Sequence, residues 1–159
     1  MRILVVSDTH GDISRVQQIL DEDHDFDMII HLGDYLRDAE NIETEYPNIK
    51  VEYVYGNCDF LVGDTPSEKL IEIQGKRILA THGHRYSVKY GPDKLITKAR
   101  DYKADILLYG HTHVSSLMEG DGFVLLNPGS ISDSRDSFGE SYAVLEISSR
   151  NISYDILQA

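Results

Sequence analysis

The 159-residue sequence predicts an α/β (α+β) fold in which two β-sheets are stacked and flanked by helices. Two observations predict it. Ten short apolar runs, rich in β-branched residues and bounded by turn residues, have the length and composition of strands. Three longer segments carry apolar residues at helical spacing. Strands and helices alternate early in the chain and strands dominate later, which favours parallel pairing first and antiparallel hairpins afterwards.

The predicted strands are close together in the second half of the chain. They cover residues 3–6, 28–32, 51–55, 69–73, 77–80, 106–109, 117–118, 123–126, 142–147 and 152–157. Asp121-Gly122 and Arg150-Asn151 are predicted to form the tight turns of two hairpins.

The three predicted helices cover residues 12–22, 36–46 and 92–102. The first places Val16 and Leu20 on one face, and the second ends before Pro47. In the third, Pro92 suits a first turn because its fixed φ is already helical and its missing N–H is not needed there.

Composition restricts the kinds of protein this chain can be. With 15 basic and 27 acidic side chains the net charge is −12, which disfavours general binding to nucleic acid or anionic membranes. No apolar run exceeds four residues, so neither a transmembrane helix nor a secretory signal is predicted. The single cysteine, Cys58, permits no internal disulfide and favours the cytoplasm. We expect one domain spanning residues 1–159.

Polar loops follow five of the predicted strands. Each places glycine beside Asp, Asn or His, and they cover residues 7–11, 33–34, 56–59, 81–84 and 110–113. Ligand sites in open α/β sheets lie at the carboxyl ends of strands, so these loops are expected to converge on one crevice.

Individually these polar residues have simpler interpretations. Asp8 could cap a helix, and His24 or His31 is typical of a surface or core-edge position. His111 and His113 are more specific, because residues two apart in a strand-like segment face the same way and can address one site.

Taken together, the polar loop residues indicate metal binding. They offer only oxygen and nitrogen donors, which suit Mn²⁺, Fe²⁺ or Zn²⁺. Seven donors are too many for one tetrahedral ion and fit two neighbouring ions that share a carboxylate. The candidate ligands are Asp8, His10, Asp34, Asn57, His82, His111 and His113.

The ordered motifs resemble those of the calcineurin-like metallophosphoesterase superfamily, whose pattern runs D-x-H, G-D-x-x-D, G-N-H-[DE], H and G-H-x-H. The corresponding residues here are Asp8-Thr9-His10, Gly33-Asp34, Gly56-Asn57-Cys58-Asp59, His82 and Gly110-His111-Thr112-His113. The chain is most similar to the compact bacterial and archaeal phosphodiesterases, a branch that also contains the scaffold protein VPS29. The resemblance implies a four-layer αββα sandwich.

The resemblance also implies how the ligands are shared. Asp34 would bridge two ions; one would add Asp8, His10 and His113, and the other Asn57, His82 and His111. His84 matches no ligand position, so supporting the ligands, contacting substrate and a purely structural role all stay open.

Two positions depart from the family pattern. Arg37 stands where the pattern has a second acidic residue, and the next residue, Asp38, is expected to support only its own helix. Cys58 replaces the histidine that, in the family, protonates the leaving group. Its thiol could be a small buried side chain, or one with a lowered pKa beside the cations.

The function implied is hydrolysis of small phosphodiesters by a metal-bridging hydroxide at a two-metal centre. Asn57, Cys58 and Asp59 would form the catalytic loop, with Asp59 orienting its neighbours or capping a turn. Mn²⁺ is the expected ion, with Ni²⁺, Fe²⁺ or Zn²⁺ as alternatives. The expected partner is a small phosphoester, and a homodimer or tetramer is anticipated. The alternative function is a non-catalytic interaction scaffold of the VPS29 type.

Overall fold

The computed structural model describes residues 1–120 and 122–159. Along the chain the elements are β1 (Arg2–Val6), α1 (Ser14–Glu22), β2 (Met28–His31), α2 (Leu36–Glu45), β3 (Lys50–Tyr53), β4 (Glu68–Ile73), β5 (Lys76–Thr81), α3 (Asp93–Asp101), β6 (Ile106–Leu108), β7 (Ser115–Gly120), β8 (Phe123–Pro128), β9 (Ser141–Ile147) and β10 (Ile152–Gln158). Two 3₁₀ turns, His84–Tyr86 and Val88–Tyr90, lie between β5 and α3 and were not predicted.

Among the described residues the strands form two mixed sheets of five strands each. The predicted pair of sheets is confirmed. In the first sheet the order is β10-β9-β1-β2-β3; its β1, β2 and β3 are parallel, and β9 and β10 form an antiparallel hairpin. In the second sheet the order is β4-β5-β6-β8-β7, with β5, β6 and β8 parallel and an antiparallel strand at each edge. The parallel strands of each sheet therefore end together.

Alternation along the central strands places one core between the sheets and one on each outer face. Ile3 and Val5 of β1 face the second sheet, where they join a cluster that includes Ile78 and Ile106. The intervening Leu4 and Val6 pack with residues of α1 and α2. On the other outer face α3 packs through Leu95 and Ala99. The layers are thus α, β, β and α, which confirms the predicted sandwich.

Element boundaries follow local hydrogen bonding. Helix α1 begins at Ser14, two residues later than predicted, and Asp12 lies in the turn before it, where its carboxylate accepts the Ser14 backbone N–H at 2.9 Å. Of the two predicted hairpin turns, the first includes Asp121, which lies outside the described residues. The second extends over residues 148–151 between the paired Ile147 and Ile152. Within residues 1–120 and 122–159, no helix has both the length and the apolar character needed to span a membrane.

Candidate metal centre

The five polar loops meet at one end of the sandwich, where the parallel strands end. Although His10 and His113 are 103 residues apart in sequence, their Nε2 atoms lie 3.3 Å from each other. His82 and Asn57, 25 residues apart, approach to 3.3 Å through Nε2 and Oδ1. The seven side chains predicted as ligands are all gathered here, in two groups of donor atoms that share Asp34.

The first group contains Asp8, His10, Asp34 and His113. His10 Nε2 lies 4.0 Å from Asp8 Oδ1 and 3.7 Å from Asp34 Oδ2. His113 Nε2 lies 3.1 Å from Asp8 Oδ1. With metal–nitrogen bonds of about 2.1 Å, two ligands of a tetrahedral ion lie about 3.4 Å apart, so these spacings fit a common ion.

The second group contains Asp34, His82 and His111, with Asn57 beside them. His82 Nε2 lies 3.3 Å from the other carboxylate oxygen of Asp34, Oδ1. The ring of His111 lies edge-on to that of His82, with centroids 5.1 Å apart. Each oxygen of Asp34 therefore faces a different group of donors.

In two of the histidines, a hydrogen bond made by Nδ1 leaves the lone pair of Nε2 directed into the cluster. His82 Nδ1 lies 2.8 Å from the Leu32 carbonyl, and His113 Nδ1 lies 2.6 Å from the Asp133 carbonyl. Because a carbonyl only accepts, each Nδ1 carries the proton, and in the neutral imidazole Nε2 is left with a free lone pair. This is the tautomer that a metal-binding histidine requires.

Asp8 supplies an independent test of the fit to a cation. Its carboxylate is fully buried, and Oδ2 accepts hydrogen bonds from the Ser7 hydroxyl and the His111 backbone N–H. Its Oδ1 has no hydrogen-bond partner among the described residues, although it points into the first group. A buried carboxylate oxygen without a partner is costly, and a cation at this position would satisfy it.

The charges of the cluster shift the pKa values of its members. Burial opposes ionisation of Asp34, yet the hydrogen bond and charge of His82 outweigh it and hold the pKa of the carboxyl below its usual range. Burial also disfavours protonation of His82, but Asp34 and Asp8 together raise the pKa of that imidazole. Burial, with the neighbouring His82 and Lys89, lowers the pKa of His111 to about 4. The cluster thus holds two ionised carboxylates that attract positive charge.

Backbone geometry at the cluster is unusual. Five predicted ligands have left-handed backbone, which side chains other than glycine adopt infrequently: Asp8, His10, Asp34, His111 and His113. This corrects the expectation that His111 and His113 share a face of a strand-like segment. They lie in a turn between β6 and β7, and the left-handed conformation turns His113 into the first group and His111 into the second.

Two glycines allow the ligand loops to approach closely. A Cβ at Gly56 would lie 2.0 Å from Asp34 Oδ1, and one at Gly110 would lie 1.9 Å from the Ser7 hydroxyl. A side chain at either position would displace the carboxylate or the group that supports it.

Two acidic residues position the loops through backbone N–H groups. Asp59 accepts hydrogen bonds from Gly56 at 2.7 Å, Tyr35 at 2.9 Å and Leu36 at 2.6 Å, so it joins the third loop to the start of α2. Asp38 is buried and accepts the Gly11 N–H at 2.8 Å. The expectation that Asp38 supports only its own helix was wrong, because its carboxylate also anchors the loop that carries His10.

His31 is a positioning residue that sequence reasoning missed. It is fully buried, and its Nδ1 accepts the Gly33 N–H at 3.2 Å. Its Nε2 therefore carries the proton and donates to the Thr9 hydroxyl at 3.0 Å, which donates to the Asp34 carbonyl at 3.3 Å. Burial lowers the pKa of His31 to about 4. Its place at the end of a strand buried along its whole length was the available signal.

Cys58 and His84 lie at the edge of the cluster. The Cys58 backbone N–H donates to Asp34 Oδ1 at 2.9 Å, and its thiol accepts from the Asn57 amide at 3.3 Å. Burial and the nearby Asp34 carboxylate raise the pKa of the thiol to about 11. The His84 ring lies 5.3 Å from that of His82 and 6.2 Å from that of His111.

Two curated relatives match most of the chain. It is 34% identical over 149 residues to the probable metallophosphoesterase YsnB of Bacillus subtilis, covering 92% of this chain and 85% of that protein. It is 29% identical over 144 residues to the phosphodiesterase MJ0936 of Methanocaldococcus jannaschii, covering 81% and 83%.

Two solved structures share the fold. A predicted phosphoesterase from Streptococcus pneumoniae superposes with a TM-score of 0.84 at 34% identity, covering 99% of this chain and 88% of that one. Zinc-bound Vps29 from Entamoeba histolytica superposes with a TM-score of 0.79, covering 99% and 98%; at 21% identity this likeness concerns the fold alone.

The family comparison agrees with the site. The calcineurin-like phosphoesterase superfamily domain matches residues 1–150, which include every loop of the cluster. The clustered Asp and His donors are those that a metal-dependent phosphoesterase needs. The chain therefore belongs to the calcineurin-like phosphoesterase superfamily.

Proposed function

We propose that this phosphoesterase is a phosphodiesterase that hydrolyses small phosphodiesters at a two-metal centre, with residues 1–159 acting as one domain. One observation carries the proposal: the two oxygens of the Asp34 carboxylate face two separate donor groups. One ion would be held by Asp8, His10, Asp34 and His113, and the other by Asp34, Asn57, His82 and His111. When bound, the ions supply positive charge for the phosphoryl oxygens and a water of near-neutral pKa.

Local charge makes an anionic substrate compatible with an acidic protein. The chain has a net charge of −12, but two divalent ions against the carboxylates of Asp8 and Asp34 give 4 − 2 = +2 at the centre. A small anion can approach this local charge, whereas a polyanion also meets the acidic exterior. This supports a small phosphoester in preference to nucleic acid.

The residues of the 56–59 loop have different roles in this proposal. Asn57 is a ligand, and Asp59 acts on the reaction through the backbone that it positions. In metal-free protein, burial and the Asp34 carboxylate raise the pKa of the Cys58 thiol to about 11. Cys58 also replaces the histidine that, in the family pattern, protonates the leaving group, so the loop offers no imidazole acid at this position. Substrates whose leaving alcohol is already acidic, such as aryl diesters, should therefore react faster than alkyl esters.

We further propose Mn²⁺ as the ion in use, with Ni²⁺, Fe²⁺ or Zn²⁺ as alternatives, because the donors are only oxygen and nitrogen. The lone cysteine supports a cytoplasmic location. A homodimer or tetramer stays part of the proposal, to be measured by light scattering.

The alternative function is a non-catalytic scaffold, which the likeness to Vps29 brings to mind. Metal binding alone does not separate the two functions, because the Vps29 structure also holds zinc, and turnover is the property that distinguishes them. Here all seven carry donor side chains and the donors converge, which favours catalysis.

The test is to purify the protein, measure bound metal, and assay bis(p-nitrophenyl) phosphate and p-nitrophenyl phosphate with Mn²⁺ before and after chelation. The proposal predicts diester hydrolysis that chelation abolishes and Mn²⁺ restores, with slower hydrolysis of the monoester. Turnover that survives complete removal of metal would overturn it.

A further inference from the structure

A cavity of about 290 Å³ opens beside the metal centre, between the start of α2 and the loop that follows Cys58. Tyr35, Arg37 and Glu40 line it on the side of α2, and Phe60 and Leu61 on the side of the loop. Cys58 and Asp59 also line it, and both are joined to the Asp34 segment, through the 2.9 Å bond from Cys58 N–H to Asp34 Oδ1 and the 2.9 Å bond from Tyr35 N–H to Asp59. Residues that line the cavity are therefore held by hydrogen bonds to the segment that carries Asp34.

The apolar side chains around this cavity are exposed to an unusual degree. Phe60 is 85% exposed, Leu61 is 100% exposed and Tyr35 is 44% exposed. A single exposed apolar residue is ordinary, but a group of them around one cavity marks a binding surface. These side chains are suited to contact a ligand with an apolar face.

The backbone holds two of these side chains in strained positions. Tyr35 has a φ of 78° and Leu61 a φ of 60°, both in the left-handed region that bulky residues avoid. Such strain persists where surrounding bonds fix it, here the bond from Tyr35 N–H to Asp59, and it is concentrated at functional sites.

The two departures from the family pattern line this same cavity. Arg37 replaces the second acidic residue and Cys58 replaces the histidine. Arg37 is exposed, and within residues 1–120 and 122–159 its guanidinium has no ion pair or hydrogen bond. A planar guanidinium stacks well on a flat ring and attracts an anion, whereas a carboxylate would repel both a phosphate and the face of a ring.

We propose that this cavity binds a flat aromatic group of the substrate, an aryl or nucleobase ring of a phosphodiester, against Tyr35, Phe60 and Arg37. The assignment rests on the proposed function, because it takes the phosphate to lie at the metal centre. The cavity is close to the lower limit of small-ligand sites, about 300 Å³. A protein partner needs about 800 Å² of surface on this chain, far more than one such cavity offers.

The test uses two phosphonates that cannot be hydrolysed and differ only in the ring, phenylphosphonate and methylphosphonate. Their dissociation constants are measured by calorimetry on the Mn²⁺-loaded protein. Phenylphosphonate should bind about tenfold more tightly, since stacking of one ring on aromatic side chains has that order of effect. In Phe60→Ala the ratio should fall towards one, with methylphosphonate affinity unchanged. In Tyr35→Ala the ratio should also fall, but methylphosphonate affinity does not serve as the control there, because the Tyr35 ring lies 5.5 Å from that of His10, a proposed metal ligand.

Two controls isolate the ring. Tyr35→Phe keeps the aromatic face and should keep the ratio. Phe138→Ala removes another half-exposed aromatic, which lines a separate cavity with Leu117, and should also leave the ratio unchanged. A second pair, adenosine 5′-monophosphate and ribose 5-phosphate, shows whether a nucleobase or only a small aryl ring is accepted.

The outcomes separate this inference from the proposed function. The aromatic subsite is overturned if wild-type protein binds the two phosphonates with nearly equal affinity, or if Phe60→Ala does not change the ratio of their affinities. Either result stands even if diesters are hydrolysed. A tenfold ratio that collapses in Phe60→Ala supports the subsite even if no turnover is seen, in which case the proposed catalysis fails alone.

Discussion

The two ends of the sandwich differ in what their polar residues do. The end opposite the metal centre has a cavity of about 490 Å³, larger than the one beside Tyr35, lined by charged residues such as Lys76, Asp105 and Arg150. There Asp105 accepts the Arg77 N–H at 2.7 Å and lies 4.0 Å from Lys76, so its charge is already compensated. At the metal end, by contrast, Oδ1 of the fully buried Asp8 has no hydrogen-bond partner among the described residues, and the side chains of His10, Asp34 and His113 converge with it. The convergence of metal-binding side chains identifies the reactive end, and cavity volume does not. An unpaired buried atom alone is not sufficient, because Arg77 Nε at the opposite end also has no hydrogen-bond partner among the described residues.

The largest effect expected at the metal end comes from a methyl group. Gly56→Ala places a Cβ 2.0 Å from Asp34 Oδ1 and must displace the shared carboxylate. Since misplacing a reacting group by about 1 Å costs about a hundredfold, kcat/KM for bis(p-nitrophenyl) phosphate should fall by at least that factor. The matched change near the opposite cavity is Gly120→Ala, where a Cβ meets no atom within 4 Å, and it should be silent. Equal kcat/KM values for the two variants would contradict the proposed difference between the two ends.

A smaller effect is expected from a loop anchor. Asp38→Ala removes the acceptor of the Gly11 N–H and loosens the loop that carries His10. Loss of such a supporting contact typically costs about ten- to a hundredfold in metal affinity. The Mn²⁺ dissociation constant should rise accordingly, whereas Glu43→Ala, an exposed carboxylate on the same helix, should leave it unchanged. Identical affinities in both variants would contradict the anchoring role.

His31 makes stability at the metal end depend on pH. Its folded pKa is lowered to about 4, so its contribution is complete above the unfolded value of 6.5 and is lost as pH falls towards 4. Between pH 7.5 and 4.5, metal-free protein should lose roughly 2–3 kcal/mol more of its unfolding free energy than His31→Gln, which cannot titrate. Urea unfolding at the two pH values measures this difference. If His31→Gln and the wild type show the same pH dependence of unfolding free energy, His31 is not the buried neutral group that causes it.

The smallest effect concerns the thiol at the edge of the centre. With its pKa raised to about 11, Cys58 in metal-free protein is almost entirely protonated at pH 8. Iodoacetamide should therefore alkylate it at least about tenfold more slowly than a free thiol of ordinary pKa, about 8.5. Mass spectrometry follows the reaction, and unfolding in urea should restore the ordinary rate. Rapid alkylation of the folded protein would show a thiolate and would reopen a direct role in metal binding.

Much of the fold and the convergence of the seven candidate ligands could be predicted, because both follow from local pattern. The uninterrupted apolar run of Ile3, Leu4, Val5 and Val6 predicts a strand covered on both faces, and the polar loops follow the strands directly. Convergence then results from parallel strands ending together.

The remaining features depend on contacts between loops distant in sequence. His31 reaches Thr9 across 22 residues, and Asp38 reaches Gly11 across 27. The left-handed backbone of His111 and His113 has no sufficient local signal either, because histidine is enriched in this conformation but most histidines do not adopt it. Such features are set by tertiary packing, so spacing in the sequence could not reveal them.

The central claim is that Asp34 is shared by two ions, and metal content measures it most directly. After saturation with Mn²⁺ and removal of free metal, wild-type protein should retain two ions per chain. Asp34→Asn should retain close to none, while the matched change at the opposite end, Asp105→Asn, should retain two. A wild-type protein that binds a single ion, or an Asp34→Asn variant that keeps both, would contradict the shared centre.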